Sequence, residues 1–335
     1  MNNSKKTVAL IYGGAGAEHE VSLMSNEYLS RLIDRERFNV LSVLIDTDGV
    51  WLHEGERLLL CSGGLMREDG AKIPVDAAFP LLHGDLGEDG TIAGALECAG
   101  IPYVGCGVTA GAVCADKAIT KLIAERLGIP TVRWILRIED DTENIDLSSA
   151  ESDCAEKIGY PMFIKPAGLG SSVGCAAVMT PGTFFDAYAD AARLGRGRVL
   201  IEEFIGDRRE LEIAFYSAGA KRIISHPGEV ICHGPYTYEE KYSKSTHSRV
   251  CVRSDAPEAI GSLAERYSDM LCRAIGIRHL ARIDFFLSDS LLYLNEINTM
   301  PGFTEASLYP RLMESEGITP EALVNSLISD CLSLC

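Results

Sequence analysis

The sequence predicts an α/β protein: a parallel-sheet domain of about a hundred residues, then a second part in which strands and helices mix. Three observations predict it. Short apolar runs alternate with helical patterns from Thr7 to Ala99. Glycine-rich turns follow two of those runs, at Gly13 and beyond His83. Near the other end, two apolar and aromatic runs, Ala281 to Leu287 and Leu291 to Ile297, flank a Ser288-Asp289-Ser290 turn and read as a β-hairpin.

Thr7 to Tyr12 is a buried strand, and GGAGAEHEVSL turns into a helix near Glu20 to Ser22. His19 stands where a dinucleotide fingerprint needs its third glycine, so a plain strand-to-helix turn fits better. Either way Glu18 lies at the carboxyl end of a parallel strand, where open α/β sheets bind ligands. Val40 to Ile45 and Ala77 to Leu82 supply further strands, and the latter puts His83 at an equivalent place before an acidic glycine loop and the helix Thr91 to Ala99. After Gly105 the chain leaves this sheet. A helix from Thr109 to Leu127 carries Lys117 and Lys121 and stops at Gly128-Ile129-Pro130.

Strand Pro161 to Pro166 brings Lys165 to a loop, Ala167 to Gly174, rich in glycine and serine. Such a loop turns backbone N–H groups into one concavity suited to phosphate oxygens. It lacks the Gly-Lys-Ser/Thr ending of a Walker loop. Arg198 to Phe204 delivers Glu202 and Glu203, and Glu210 to Ala214 resumes an alternating strand. Residues Glu229 to Val250 form a long polar stretch that reads as either a disordered loop or a lid. Helix Pro257 to Ile275 leads into the hairpin, and the tail holds a turn at Ser307-Leu308-Tyr309-Pro310 and a helix from Pro320 to Leu332.

Alternation along the hairpin puts Arg282 and Asp284 on one face, and a three-residue turn would bring Glu296 and Asn298 to it. These are hard oxygen donors of the kind that hold Mg²⁺ beside phosphates; a charged solvent face is the alternative. The apolar neighbours Phe285, Phe286, Leu292 and Leu294 favour burial, where carboxylates need a cation.

The chain has 335 residues, 47% of them hydrophobic, enough for two or three domains with a sizeable core. Its net charge of −17 opposes unspecific binding to nucleic acid or anionic membrane and favours a small-molecule site. No stretch has the length of a membrane span, and the start lacks a signal-peptide pattern, so a cytoplasmic protein is expected. Eleven scattered cysteines without metal spacing fit reduced thiols.

Taken in order, GGAGAEHEVSL, LHGDLGEDG, GIPYVGCG, CADKAITK, IKPAGLGSSVG, EEKY, ARIDFF and LNEINTMPGFT resemble the D-alanine–D-alanine ligases of the ATP-grasp superfamily over nearly the whole chain. The resemblance implies an N-terminal pre-ATP-grasp domain, residues 1–106, and a two-lobed α+β ATP-grasp fold, with a small lobe at 107–204 and a large lobe at 205–335. It implies that Lys117, Lys165 and Ser172 contact ATP phosphates, and that Glu202, Glu203, Ile205, Glu210, Lys241 and Phe286 hold the nucleotide. Asp284, Glu296 and Asn298 would bind two Mg²⁺ ions, with Mn²⁺ as a substitute. Glu18 and His83 would place the first D-alanine, Ser171 and Tyr242 would join Glu18 in closing the lid, and Ser307 and Leu308 would seat the second. Arg282 and the Gly302 N–H would face the oxyanion.

The same resemblance implies D-alanyl-D-alanine synthesis for peptidoglycan precursors, in a homodimer. Tyr242 and Leu308 favour D-alanine as second substrate, since D-serine ligases often carry Arg at the latter place; D-serine is the runner-up. Ala93, Leu169 and the extra residue in GDRRELE depart from the family pattern. An NAD-dependent dehydrogenase, the rival from another class, leaves the hairpin and the serine loop unexplained.

Overall fold

A computed structural model describes residues 5–231 and 249–333. Tyr242 and Lys241 lie outside the described residues.

The first sheet begins as expected. Strand β1 (Lys6–Gly13) lies parallel to β2 (Phe38–Ile45) on one side, with helix α1 (His19–Leu32) between them in sequence. The sheet is mixed rather than all-parallel, because four short strands that the sequence reading passed over extend it as an antiparallel meander: β3 (Trp51–His53), β4 (Glu56–Cys61), β5 (Gly64–Arg67) and β6 (Lys72–Pro74). They are short and half exposed, so their apolar pattern is weak. Strand β7 (Ala77–Pro80) closes the other edge, parallel to β1, and leads to α2 (Thr91–Cys98).

The helix expected from Thr109 to Leu127 is two helices, α3 (Val108–Ala115) and α4 (Lys117–Arg126). Asp116 breaks it: its backbone is extended, and its side chain accepts from the Ala118 and Ile119 amides to cap α4. Both helices pack with the third sheet, since Ala110, Cys114 and Ala124 share a core with Phe215 and Phe285.

The second sheet is antiparallel, in the order β10 (Ala176–Val178), β9 (Met162–Pro166), β11 (Arg198–Glu203), β8 (Trp134–Ile138). Helices α5 (Leu147–Lys157) and α6 (Phe184–Leu194) back it, with Phe184 and Tyr188 fully buried. The third sheet is built on β12 (Arg209–Ala218), which carries β13 (Lys221–Ile224), β14 (Gly228–Ile231) and, beyond β14, β15 (Arg249–Cys251) on one side. The ends of the expected 229–250 loop are therefore paired strands, Glu229 facing Cys251 and Ile231 facing Arg249. Helix α7 (Glu258–Ile275) then precedes the hairpin of β16 (Leu280–Ser288) and β17 (Leu291–Asn298), of which β16 pairs with β12.

The expected turn at Ser307–Pro310 is the start of α8 (Leu308–Ser315), and α9 (Pro320–Ser333) follows. One core joins Val8, Leu10 and Phe79 of the first sheet to Leu323, Leu327 and Ile328 of α9. Asn325 of α9 also caps the end of α1, its Oδ1 accepting from the Asp34 amide and its Nδ2 donating to the Leu32 carbonyl. Among the described residues no helix is long and apolar enough to cross a membrane, and no disulfide forms.

Candidate active site

The β16–β17 hairpin brings its polar residues together by a route the sequence did not reveal. The turn has two residues, not three: Ser288 pairs with Leu291, and Asp289 and Ser290 take left-handed φ angles of 48° and 66°. A straight ladder from that turn would put Glu296 on the opposite face from Asp284. A bulge intervenes. Phe285 faces Leu294 but Asp284 faces Glu296, so Asn295 is the extra residue and the remaining register, Arg282 opposite Asn298, is restored to the site face.

Across the sheet the row is longer still, because Glu212 of β12 faces Asp284. Arg282 offsets these charges. Its Nε and Nη2 donate to Asp284 at 2.8 and 2.7 Å, and Glu212 lies 3.2 Å away. Burial would lower the guanidinium's pKa, but Asp284 and Glu212 outweigh it and hold it well above its usual range. Asn298 Nδ2 donates to Asp284 Oδ2 at 3.0 Å.

The second sheet forms the facing wall. Lys165 of β9 and Glu202 of β11 are both buried, paired at 2.8 Å, and the other Glu202 oxygen lies 2.7 Å from Lys121 Nζ of α4. Burial would raise the Glu202 pKa, but the two lysines hold it at about 2. At the start of α4, Lys117 donates to the Leu169 carbonyl at 2.7 Å and pairs with Glu296 at 3.3 Å. It thereby ties the glycine and serine loop to the hairpin. Within that loop Ser171 and Ser172 adopt left-handed backbone, φ 50° and 59°.

Between the two sheets lies a cavity of about 340 Å³. Lys117, Lys165, Ser172, Glu202, Glu203, Ile205, Glu210, Arg282, Asp284, Phe286 and Glu296 line it, all singled out from the sequence. At its apolar end Arg208, which sequence reasoning noted only as part of an insertion, lies 4.6 Å from the Phe286 ring and 5.8 Å from Phe204. It donates to the Ile205 carbonyl and to Glu210. Glu203, half exposed, pairs with Arg133 at 3.4 Å.

The first sheet contributes at its carboxyl edge. Ser171 Oγ donates to Glu18 in a short hydrogen bond, so the loop and the N-terminal domain touch here. Gly84 is required beside them: its φ is +67°, and a Cβ would stand 2.3 Å from Glu18 Oε2. His83 is buried; its Nδ1 donates to the Met300 carbonyl, which leaves Nε2 to accept from Ser25. Burial lowers its pKa, and that hydrogen bonding fits a neutral ring. Glu88, not singled out beforehand, is raised to about 8 by burial and by the charges of Glu18 and Glu296, against the pull of Arg282 and Lys117.

Asn298 opens instead on a smaller hollow shared with Glu88, Lys117 and Glu296. Gly302 lies close to Ser307, whose Oγ accepts from the Thr304 amide, and Leu308 is buried in the core at the N-terminus of α8. These three residues do not line the main cavity.

Comparison with known proteins now decides the family. A model described as D-ala D-ala ligase N-terminus matches residues 7–106, and one described as D-ala D-ala ligase C-terminus matches 123–329. The chain belongs to the D-alanine–D-alanine ligase family. A D-alanine–D-alanine ligase of Deinococcus radiodurans is 37% identical, over 97% of this chain and 98% of its own. D-alanine–D-alanine ligase A of Mesorhizobium japonicum is 34% identical over 98% of both. The solved D-alanyl-alanine synthetase A of Vibrio cholerae superposes with a TM-score of 0.87 at 34% identity, covering 98% of this chain and 99% of that one. The VanG D-Ala:D-Ser ligase of Enterococcus faecalis gives the same TM-score at 27% identity, covering 98% and 100%. The fold of this ligase-family chain is thus shared along its full described length.

The family implies a divalent metal, and the donor set suits one. Asp284, Glu296 and Asn298 are oxygen donors on adjacent strands of one face, beside two lysines. Among the described residues no group of three or more His, Cys, Asp or Glu side chains forms a metal site alone. That fits Mg²⁺, which takes only one or two carboxylates from protein and the rest from water and phosphates.

Proposed function

We propose that this chain joins two D-alanines to give D-alanyl-D-alanine, using ATP and Mg²⁺, through a D-alanyl phosphate. Peptidoglycan precursor synthesis in the cytoplasm is the corresponding role, and a homodimer the corresponding assembly. The observation that carries the reading is the convergence of Asp284 and Glu296 with Lys117 and Lys165 around one cavity of nucleotide scale, with Asn298 hydrogen-bonded to Asp284 beside it.

A carboxylate is a poor acyl donor, so a carboxylate oxygen of the first D-alanine attacks the γ-phosphorus and expels ADP, and the deprotonated amine of the second attacks the acyl carbon, expels inorganic phosphate and loses a proton. Lys117 and Lys165 offset phosphate charge, and the loop 168–174 with Ser172 covers it. Glu203, Ile205, Glu210 and Phe286 hold the nucleoside end, with Glu202 anchored between lysines and Lys241 joining from outside the described residues. Asp284, Glu296 and Asn298 would hold the metal, which when bound withdraws charge from the transferring phosphoryl group. Glu18 and His83 orient the first D-alanine. Ser171 and Tyr242 close with Glu18 to exclude the water that would hydrolyse the acyl phosphate. Ser307 and Leu308, at a helix N-terminus suited to a carboxylate, seat the second. Arg282 and the Gly302 N–H stabilise the tetrahedral oxyanion, each donor worth about 3 to 4 kcal/mol. We propose the lobes 1–106, 107–204 and 205–335 for this machinery, with α3 and α4 packed on the last.

Phosphate release from ATP by the purified protein tests the reading. It should require Mg²⁺ and D-alanine but not NAD, with D-serine and D-lactate much poorer. The likeness to the VanG enzyme keeps D-serine as the second reading, and a preference for D-serine would establish it. NAD reduction without phosphate release would overturn both.

A further inference from the structure

Lys121 is fully buried, yet it does not line the cavity. Its Nζ sits behind the wall, 2.7 Å from one oxygen of Glu202, while Lys165 holds the other oxygen at 2.8 Å and does reach the cavity. Burying an ammonium group is costly, and two ammoniums on one carboxylate repel each other. What the third member changes is the charge at the cavity wall. Glu202 and Lys165 alone form a neutral pair. With Lys121 the triad carries +1, and Glu202 divides its two oxygens between the lysines.

We propose that Lys121 is a positioning residue for the nucleotide: through Glu202 it leaves the charge of Lys165 available to the phosphates without itself touching them. The inference rests on the ATP site proposed above. It explains why a strand residue, Lys165, and a helix residue one turn beyond Lys117 share a single acidic partner. Burial lowers the Lys121 pKa, Glu202 opposes it, and Lys165 adds to the lowering, so the net direction stays downward.

The test is equilibrium binding of a non-hydrolysable ATP analogue with Mg²⁺ to the full chain, measured by calorimetry beside thermal melting of each variant. Lys121→Met and Lys121→Gln should each weaken binding roughly tenfold, the size expected for one unit charge lost within several ångströms of the phosphates. Adenosine, which carries no phosphate, should bind each variant within about threefold of the parent. A merely structural lysine predicts otherwise, adenosine and the analogue losing affinity alike, and that result overturns the proposal. So does unchanged binding of the analogue in the single variants. If Lys121→Met fails to fold, Lys121→Gln decides. Parent protein that binds no nucleotide would instead overturn the ATP reading, and this inference with it.

Discussion

At the scale of single residues, the site is held by groups that tolerate little change. Gly84 takes a left-handed φ of +67° beside Glu18, and Gly84→Ala, which must adopt it and displace the Glu18 carboxylate, should lose about 1 kcal/mol of stability in denaturant unfolding, with weaker D-alanine binding. Glu296→Gln removes one ligand charge while keeping shape; D-alanine-dependent phosphate release should vanish while the melting midpoint moves little, and an active variant would contradict the assignment. Much of this was legible. Lys165, Asp284 and Glu296 stand out because strand alternation and loop chemistry are local in sequence, and Lys117 through the resemblance of its motif to the family's. Glu212, Glu88, Lys121 and Arg208 were not, because what gives each its role is a partner on another strand or loop: Glu212 matters only once β12 is known to face β16, and Lys121 only once α4 is known to lie behind β11.

At the scale of elements, the hairpin shows how a right conclusion follows from two offsetting irregularities. A three-residue turn was expected, and two residues are found, which shifts parity by one; the bulge at Asn295 shifts it back. The one local sign of the bulge in LLYLNEIN is the step from Leu294 to Ile297, three positions where strict alternation allows two, and the expected three-residue turn gave the same parity without it. Deleting Asn295 should therefore straighten the ladder while keeping Glu296 opposite Asp284 and Asn298 opposite Arg282. The deletion variant should keep its far-UV circular dichroism and its Mg²⁺-dependent turnover, and lost turnover would show that the site needs the bulge itself as well as the parity it restores. The meander β3–β6 and the pairing of β14 with β15 were missed for a related reason: strands of three to six residues with half-exposed faces leave little periodicity to read.

At the scale of the whole molecule, His279 sits where the N-terminal domain, the third sheet and the last helix meet. Its Nδ1 accepts from the Gly105 amide at 2.9 Å, and its Nε2 lies 3.3 Å from Asp330, while Arg278 donates to the Gly105 carbonyl and covers the Tyr103 ring. Burial, aided by Arg278, pushes the ring down to about 4 from an ordinary 6.5, against the opposing pull of Asp330. The folded ring is thus neutral where the unfolded one is charged. Its contribution is complete above pH 6.5 and is lost as the pH falls toward 4, a difference on the order of 3 kcal/mol. Melting midpoints of the parent should drop across that interval more steeply than those of His279→Gln, and parallel curves would refute the linkage.

Because Asn325 closes off α1 and the residues of α9 complete the core beneath β1 and β7, the opening segment of the chain has a finished interior on one side of its sheet, around Val43, Leu58 and Leu96, and none on the other. On the ribosome, Val8, Leu10, Phe79 and Leu81 must wait, wet and sticky, until the final helix has left the exit tunnel. Residues 1–106 made by themselves should accordingly precipitate, and should dissolve again when the remainder of the polypeptide is supplied in trans.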